Sequence, residues 1–413
     1  MLHRLSFSPA DEAEFFSALP ASPAVFLLRG DDANSEPYVT KTANLRRRLL
    51  RLLGPAESAS KRLNLRERVT EVQYTPTASD FESTFVLYQC LRDAFPRTYA
   101  DRLRLRPAPM VKFILANAYP RVTVTTRISS LKAAAEHGAA YYGPFPTRAA
   151  AEKFANDSLD FFKIRRCTDE LHPDPAFPGC IYSEMKMCLA PCFKGCTDEE
   201  YRAEVARVEQ FFATGGRSLN LELQAERDRA SENLEFENAA ALHTRLEKLA
   251  GVRQQLTEIV RRIDLLDGVM VQPSAVPDSV TLFKITGGCI CSPVQFHIPP
   301  RAAVPGEVKT PQSMEARISE TLAAASVPPL HSAQEWMEHL AILKRWYYRT
   351  NKVGEVFFAD EKGELPMRRI VRGVSRVFKG EKPMADLSES ARDYWVNRGR
   401  QVETDAKKNE ETQ

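Results

Sequence analysis

The sequence predicts a mixed α/β (α+β) protein made of several folded units. Up to about residue 165, short runs of apolar and β-branched residues alternate with helical patterns. Helix-forming residues dominate after residue 197, and strand-type alternation returns at DGVMVQP and VTLFKITGGCICSPVQFHI. A length of 413 residues agrees with about two to four such units, at roughly 100 to 200 residues per domain.

The N-terminal unit is predicted to combine a small sheet with two helices. Strands are indicated at PAVFLLRG, EPYVT and VTEVQYTP, and helices at TANLRRRLLRLL and DFESTFVLYQCLRDAF. The leucines of the first helix share one face, and Arg48 lies about 60° from Leu45 on the flank of that stripe. Pro96 ends the second helix. The predicted core face of this second helix consists of Phe81, Phe85, Tyr88, Leu91 and Phe95.

The remaining units are predicted from strand alternation, helix caps and helix breakers. VKFILANAYPRVTVTTR contains two strand-like runs, and YYGPFPTRAAAEKFANDSLDFF reads as a turn that leads into a helix. Thr197 and Glu200 have the spacing of a capping box, and the glycines at 215 and 216 are expected to end the helix that follows. Residues 219 to about 260 predict a helical hairpin that is broken at ENLEFE. Helices are also expected at EARISETLAAA and EWMEHLAILKRWYYR, and QVETDAKKNEETQ is expected to be disordered.

Positive charge is concentrated in the first quarter of the chain, although the formal net charge is only +3. Such an excess would attract a phosphate backbone, but it is also typical of solvated helix faces, and charge alone does not decide between the two. The cations are Arg46, Arg47, Arg48, Arg51, Lys61, Arg62, Arg66, Arg68, Arg92, Arg97, Arg102, Arg104 and Arg106.

Neither a membrane helix nor a signal peptide is indicated. The longest apolar runs, such as AVFLL and TFVLY, are far shorter than the about 20 residues that a membrane span needs. The start of the chain, MLHRLSFSPADEAEFF, has acidic residues where a signal peptide would be apolar. We therefore expect a cytoplasmic, reducing environment.

Five of the eight cysteines fall within one short segment. Cys167, Cys180, Cys188 and Cys192 are separated by twelve, seven and three residues, with Cys196 as a possible fifth member of the group. In a reducing compartment, such a group is more often metal-bound thiolate than disulfide. An iron–sulfur cluster fits at least as well as zinc, because the spacing is not that of paired C-x2-C motifs. The alternative is that some are small buried apolar residues, as we expect for Cys90, Cys289 and Cys291.

The cysteine block, the following TDEEYRAEV and the hairpin sequence LEFENAAALHTRLEKL together resemble the UvrC family, the incision subunit of the bacterial excinuclease. The resemblance covers roughly residues 16 to 258. It implies that Cys167, Cys180, Cys188 and Cys192 bind a [4Fe-4S] cluster, and that the hairpin is a UVR motif that docks on UvrB. His243 departs from the arginine that is usual in this motif. The residues implied in partner binding are Leu234, Glu235, Phe236, Ala239, Ala240 and Leu242.

The N-terminal unit resembles a GIY-YIG nuclease that has lost part of its site. Hydrolysis of a phosphodiester needs an activated water, a cation for the developing charge and a metal ion held by a carboxylate. Tyr38, Lys41 and Arg48 match the second tyrosine, the lysine and the arginine of the family. The departures are Phe26 for the first tyrosine, Thr40 for a glycine, Leu87 for the metal-binding glutamate and Tyr99 for an asparagine.

We therefore expect little or no Mg²⁺-dependent cleavage, because an alkyl side chain cannot ligate a hard cation. Glu82 and Asp93 are nearby acids, but neither lies one helical turn from Leu87 on the same face. The expected function is a UvrC-like role in nucleotide excision repair, with DNA and a UvrB-like protein as partners and with cleavage lost. The alternatives are an active endonuclease with a displaced metal ligand and an adaptor that does not bind DNA.

The C-terminal region faintly resembles the strands that precede the RNase H-like domain of UvrC proteins, yet it contains no FDxSH-like aspartate stretch and no Gly-rich hairpin pair. It is either a divergent remnant or a different module. The predicted boundaries are 16–105 for the degenerate nuclease-like domain, 106–196 for a linker region with the cysteine module, 197–260 for the helical region with the UVR motif, 261–400 for the divergent α/β region and 401–413 for the tail.

Overall fold

In the computed structural model, three antiparallel sheets, each covered by helices, organise the part of the chain that the structure describes. The structure describes residues 1–32, 35–55, 63–128, 138–299, 312–325 and 332–381. The mixed α/β fold class is confirmed. The predicted tail at 401–413 and the cations Lys61 and Arg62 lie outside the described residues. Among the helices that are described, none is both long and apolar enough to cross a membrane.

The first sheet has the strand order β1-β4-β2-β3 and includes a strand that precedes residue 16. Helix α2 begins after Asn44, whose side chain accepts a hydrogen bond from the backbone N–H of Arg47, and its four leucines are buried as predicted. The elements are β1 (His3–Ser6), α1 (Glu12–Ala18), β2 (Ala24–Arg29), β3 (Tyr38–Thr42), α2 (Leu45–Leu53) and β4 (Glu71–Pro76).

Helix α3 (Asp80–Ala94) follows the first sheet and is succeeded by the short α4 (Tyr99–Leu103). Its start is fixed by reciprocal hydrogen bonds: the Ser79 hydroxyl accepts from the N–H of Glu82 at 3.1 Å, and the Glu82 carboxylate accepts from the N–H of Ala78 at 2.8 Å. The predicted aromatic core face is buried along its whole length.

The second sheet, in the order β6-β5-β7-β8, carries the cysteine-rich segment and the hairpin. The predicted capping box of Thr197 and Glu200 is confirmed, and Gly215 and Gly216 adopt positive φ angles of 57° and 82° between two helices. The elements are β5 (Met110–Ile114), β6 (Arg121–Thr125), β7 (Ala139–Gly143), α5 (Arg148–Leu159), α6 (Ile181–Glu184), α7 (Asp198–Ala213), α8 (Arg217–Glu232), α9 (Phe236–Arg253) and β8 (Arg261–Arg262).

The third sheet has the order β11-β10-β9-β13, with β12 paired to the other end of β10, and helices cover both faces. Val269, Val271 and Leu282 face α10 and α12, whereas Met270 and Phe283 face α11, as the period of two in a strand requires. The elements are β9 (Gly268–Pro273), β10 (Ser279–Thr286), β11 (Cys289–Ile290), β12 (Val294–His297), α10 (Met314–Ala324), α11 (Ala333–Tyr347), β13 (Glu355–Phe358) and α12 (Met367–Phe378).

Helix α3 joins the first and third sheets through an aromatic contact. Phe81 and Phe85 pack edge-on against Phe283 of β10, with ring centroids 5.0 and 6.0 Å apart. Tyr88 lies 5.5 Å from the ring of His339 in α11. Its hydroxyl donates a hydrogen bond to Glu338 at 3.0 Å. The aromatic face of α3 therefore belongs to a core shared with the C-terminal region rather than to the first sheet alone.

Replacing Phe283 by alanine is expected to destabilise this shared core. Phe283 is fully buried, and removal of a buried phenyl ring costs about 3–5 kcal/mol of unfolding free energy. Urea denaturation followed by tryptophan fluorescence would report the loss, because Trp336 and Trp346 lie in the same cluster. Val276→Ala, at a half-exposed position, is the control. If Phe283→Ala and Val276→Ala had equal free energies of unfolding, the core shared by α3 and the third sheet would be contradicted.

Candidate functional site

Tyr38 and Arg48 lie together at the edge of the first sheet. Tyr38 begins β3, and its hydroxyl accepts a hydrogen bond from Nη2 of Arg48 in α2 at 2.9 Å. Phe26 of β2 is directly opposite Thr40 of β3 and is fully buried, with its ring 6.1 Å from that of Tyr38. One hydroxyl and one guanidinium therefore lie together at this edge, beside the buried phenyl ring of Phe26.

Lys41 connects β3 to helix α3. Its Nζ donates to Oδ1 of Asp80 at 2.7 Å and to the hydroxyl of Thr84 at 2.9 Å. The other oxygen of Asp80 forms an ion pair with Arg349, which follows α11. Partial burial would raise the pKa of Asp80, but the hydrogen bond from Lys41 and the charges of Lys41, Arg349 and Arg345 outweigh it and lower that pKa. Asp80 is therefore an ionised carboxylate whose charge is already neutralised.

Leu87 lies on the same face of α3 as the partners of Lys41. Asp80, Thr84 and Leu87 are spaced i, i+4 and i+7, which places them within about 60° of one another around the helix. This face is turned toward β3, because Lys41 reaches two of the three residues. Asp80 was not predicted from the sequence as a residue of this site. Its position two helical turns before Leu87, on the same face, is a signal that could have identified it. Arg349 had no such signal, since it lies 269 residues from Asp80.

Glu82, Asp93 and Tyr99 do not contact the residues of this edge in the described part of the chain. Burial raises the pKa of Glu82. Its carboxylate accepts hydrogen bonds from the N–H of Ala78, which stabilises the start of α3, and from the hydroxyl of Thr281 in β10. Asp93 is exposed on the last turns of α3. The hydroxyl of Tyr99 donates to Glu338 of α11 at 3.0 Å, and burial together with that carboxylate raises the pKa of Tyr99 to about 12.

The four predicted cysteine ligands lie in one neighbourhood. Burial, together with negative charge on Cys167, Cys192 and Cys180, raises the pKa of Cys188 to about 11. Each of the four thiols is half-buried and free of disulfide bonds. In the described ranges, however, no three His, Cys, Asp or Glu side chains stand in an arrangement that could hold a metal ion. The thiols are thus near one another but are not drawn into ligating geometry.

A buried arginine lies beside these thiols. Arg165 is only 3% exposed, and its Nη1 is 3.8 Å from Sγ of Cys167 and 3.0 Å from the carbonyl oxygen of Asp169. Its Nε is buried without a hydrogen-bond partner, and no ion pair joins its charge to a carboxylate among the described residues. A buried cation is costly unless negative charge compensates it. A negatively charged thiolate centre would supply that compensation.

The hairpin of α8 and α9 presents an apolar tip. α8 ends at Glu232, Leu234 adopts a positive φ of 60°, and α9 begins at Phe236. The side chains of Leu234 and Phe236 are 70% and 68% exposed. Two large apolar side chains therefore stand in solvent where the chain reverses direction.

The other predicted partner-binding residues divide between the surface and the core of the hairpin. Glu235 and Ala240 are exposed, and Ala239 is partly buried. Leu242 is only 7% exposed and packs in the same core as Leu246 and Leu249. Leu242 therefore holds the two helices together behind the exposed tip.

Two family profiles match this part of the chain. Residues 112–211 match the middle domain of the UvrC/Cho excinucleases, and residues 217–259 match the UvrB/UvrC motif. The chain is a relative of the UvrC proteins. The resemblance inferred from the cysteine block and the hairpin is confirmed, and both features fall within the matched ranges. No solved structure matches the chain.

Curated relatives carry the name UvrABC system protein C. The UvrC relative from Carboxydothermus hydrogenoformans is 28% identical over 60% of this chain and 40% of its own length. The relative from Ectopseudomonas mendocina is 27% identical over 72% of this chain and 47% of its own. The relative from Acetivibrio thermocellus is 23% identical over 81% of this chain and 52% of its own.

A match over 81% of the chain must extend past the hairpin into the third sheet, so the similarity to UvrC includes part of the C-terminal region. The chain spans about half the length of these relatives, or less.

Proposed function

We propose that the chain acts in nucleotide excision repair as a UvrC-like protein that binds DNA without cutting it. The observation that carries this proposal is the face of α3 opposite Lys41. Leu87 occupies the position implied for the metal-binding glutamate, and the acid on the same face, Asp80, is already paired with Lys41 and Arg349. Metal-assisted hydrolysis needs a carboxylate that is available to a hard cation.

Phosphate binding does not need that carboxylate. The Arg48 guanidinium and the Tyr38 hydroxyl are 2.9 Å apart, and both can donate hydrogen bonds to one phosphate group. The Lys41 ammonium belongs to the same strand as Tyr38 and is 29% exposed. Charge-assisted hydrogen bonds of this kind position a nucleic-acid backbone without reading its sequence.

A second candidate function is an active endonuclease, and the position of Asp80 favours it. Asp80 lies on the same helical face as Leu87, two turns nearer to the start of α3. To hold Mg²⁺ as a displaced ligand, its carboxylate would have to leave Lys41 and Arg349. Because Lys41 and Arg349 already occupy both oxygens of Asp80, we favour binding without cleavage.

The two candidate functions predict different results when the purified chain is incubated with a lesion-bearing duplex and Mg²⁺ or Mn²⁺, in the presence and absence of UvrA and UvrB. We expect no strand nicking attributable to this chain, and salt-dependent duplex binding that Arg48→Ala weakens. Removing one cation that binds a phosphate should reduce the slope of log affinity against log salt by about 1. Gel analysis of the strands and fluorescence anisotropy of the duplex provide the measurements.

Nicking that is abolished by both Arg48→Ala and Asp80→Asn would establish the endonuclease and overturn the proposal. Weak duplex binding that does not change with salt would instead support an adaptor that does not contact DNA, because phosphate contacts release counterions. Arg202→Ala serves as the control for removal of one exposed arginine. Arg202 lies on α7, is 68% exposed and, within the described part of the chain, forms an ion pair only with Glu199.

The partner proposed for the hairpin tip is a UvrB-like protein. The UvrB/UvrC motif matched at residues 217–259 includes the whole reversal of the chain. Leu234 and Phe236 are largely exposed at that reversal, with the polar side chains of Glu226, Arg229 and Asn238 lining a groove beside them. An apolar pair bordered by polar groups is typical of a surface that buries its centre in a partner.

Changing Leu234 and Phe236 together to serine is expected to weaken binding to purified UvrB at least about tenfold, because loss of a central apolar anchor costs on the order of 2 kcal/mol. Calorimetric titration measures the affinity. Folding should be unaffected, since both side chains are exposed. Leu221→Ser is the matched control, as Leu221 is 66% exposed on α8 but 13 residues from the tip. Equal affinity of the two variants for UvrB would exclude the tip as the contact.

The cofactor proposed for the cysteine segment is a [4Fe-4S] cluster held by Cys167, Cys180, Cys188 and Cys192. Two observations support it: four thiols, the donor type that such a cluster takes, share one neighbourhood, and the buried Arg165 beside Cys167 lacks a carboxylate partner among the described residues. When bound, such a cluster ties four points of an irregular segment together and can exchange electrons. Zinc is the alternative occupant of the same thiols.

Protein purified without oxygen is expected to be brown and to contain about four iron and four sulfide ions per chain, with Cys188→Ser and Cys192→Ser removing both the colour and the iron. Elemental analysis and visible absorption provide the measurements. Cys90→Ser, outside the segment, is the control. A colourless protein with one zinc per chain would show that the thiols bind zinc instead of the cluster. A protein that contains neither iron nor zinc would overturn the proposed metal site.

A further inference from the structure

The C-terminal end of α11 carries a dense group of cations and aromatic rings. Lys344, Arg345, Arg349 and Lys352 occur within nine residues, in the sequence KRWYYRTNK. Trp346 is buried, whereas Arg345 and Arg349 are exposed. The end of α11 therefore buries Trp346 and leaves Arg345 on the surface, and Arg349 is exposed two residues beyond the helix.

These arginines lie next to the first sheet. Arg349 pairs with the carboxylate of Asp80 that also binds Lys41, so cations from two units share one acid. Arg345 lines the same shallow depression as Asp80 and Thr84, the two partners of Lys41. Lys41, Arg349 and Arg345 thus all act on the one carboxylate of Asp80, and the four groups together carry a net positive charge.

The position of the arginines is fixed by packing rather than by the ion pair. Trp346 lies 6.1 Å from the ring of Phe81, and its indole N–H donates to the carbonyl oxygen of Val353 at 3.0 Å. Lys344 donates to the carbonyl oxygen of Pro107 at 3.0 Å. An exposed ion pair such as Asp80 with Arg349 contributes little to stability. The pair is thus not needed to hold the two units together.

We propose that Arg345 and Arg349 extend the phosphate-binding edge of Tyr38, Lys41 and Arg48, so that one DNA backbone is held by the N-terminal and C-terminal units together. This inference rests on the DNA binding proposed above. The arginines are already in position before DNA arrives, which lowers the entropic cost of forming the contacts. Guanidinium groups suit the role because they bind phosphate oxygens in pairs.

Asp80 has a defined part in this surface. It holds Lys41 and Arg349 side by side when no DNA is bound, and a backbone phosphate would compete with it for the same donors. Removing its charge should therefore strengthen binding to duplex DNA, the opposite of the effect expected if Asp80 were a metal ligand needed for the interaction.

The test measures the affinity of the full chain for a fluorescently labelled duplex over a range of salt concentrations. Arg345→Ala with Arg349→Ala is expected to lower the affinity and to reduce the log–log salt slope by about 2, one for each arginine that no longer binds a phosphate. Replacing the same two residues by lysine should restore most of the slope, because the charges return. Asp80→Asn should raise the affinity. Arg202→Ala should change neither quantity.

The outcomes separate this inference from the function on which it rests. If Arg48→Ala weakens binding but the double alanine variant binds with wild-type affinity and slope, the inference is overturned and the DNA-binding function stands. If the double variant melts at a lower temperature without a change in slope, Arg349 only ties the units together. If the wild-type chain shows no salt-dependent binding to duplex, the proposed function and this inference both fail.

Discussion

The packing of helix α3 against the third sheet is the constraint on which the arrangement of the candidate site depends. Phe81, Phe85 and Tyr88 place one face of the helix in the shared core, and burial of each such side chain stabilises the fold by about 1.5–3 kcal/mol. The ion pairs at the surface contribute about 0–1 kcal/mol each. The aromatic rings therefore decide how α3 is rotated. With that rotation fixed, Asp80, Thr84 and Leu87 must face Lys41.

With α3 in that rotation, the side chains at single positions of the helix determine whether a metal ion could bind beside β3. A carboxylate at position 87 would face the strand that carries Tyr38 and Lys41, whereas leucine offers that strand only an alkyl surface. Asp80 does not compensate, because lysine and arginine take up both of its oxygens. Fixed ammonium and guanidinium groups attract phosphate as a metal ion does, but they do not lower the pKa of a bound water to generate a nucleophile. On the proposed function, this edge would bind a phosphodiester but would lack a group that activates water.

Local features were predictable from the sequence, whereas contacts between distant segments were not. The capping box at Thr197, the glycine pair at 215 and 216 and the leucine stripe of α2 depend on residues a few positions apart, and each has the predicted form. The exposed tip at Leu234 also follows from a local break in the helix. The pairing of Asp80 with Arg349 depends on how two sheets dock, which residue spacing does not encode. For the same reason the core face of α3 was recognised, but its packing partner in the C-terminal region was not.

The hairpin is built so that its apolar tip is held away from the sheet that anchors it. α7 leads into α8, and β8 pairs with β7 directly after the hairpin, so both ends are attached to the second unit. Helix α8 has 16 residues, which corresponds to about 24 Å at 1.5 Å per residue. Leu242, Leu246 and Leu249 pack within the hairpin and make it stiff. A partner bound at Leu234 and Phe236 would therefore be held at a set distance from the second sheet, and a stiff arm of this kind limits the positions that a bound partner can take relative to that sheet.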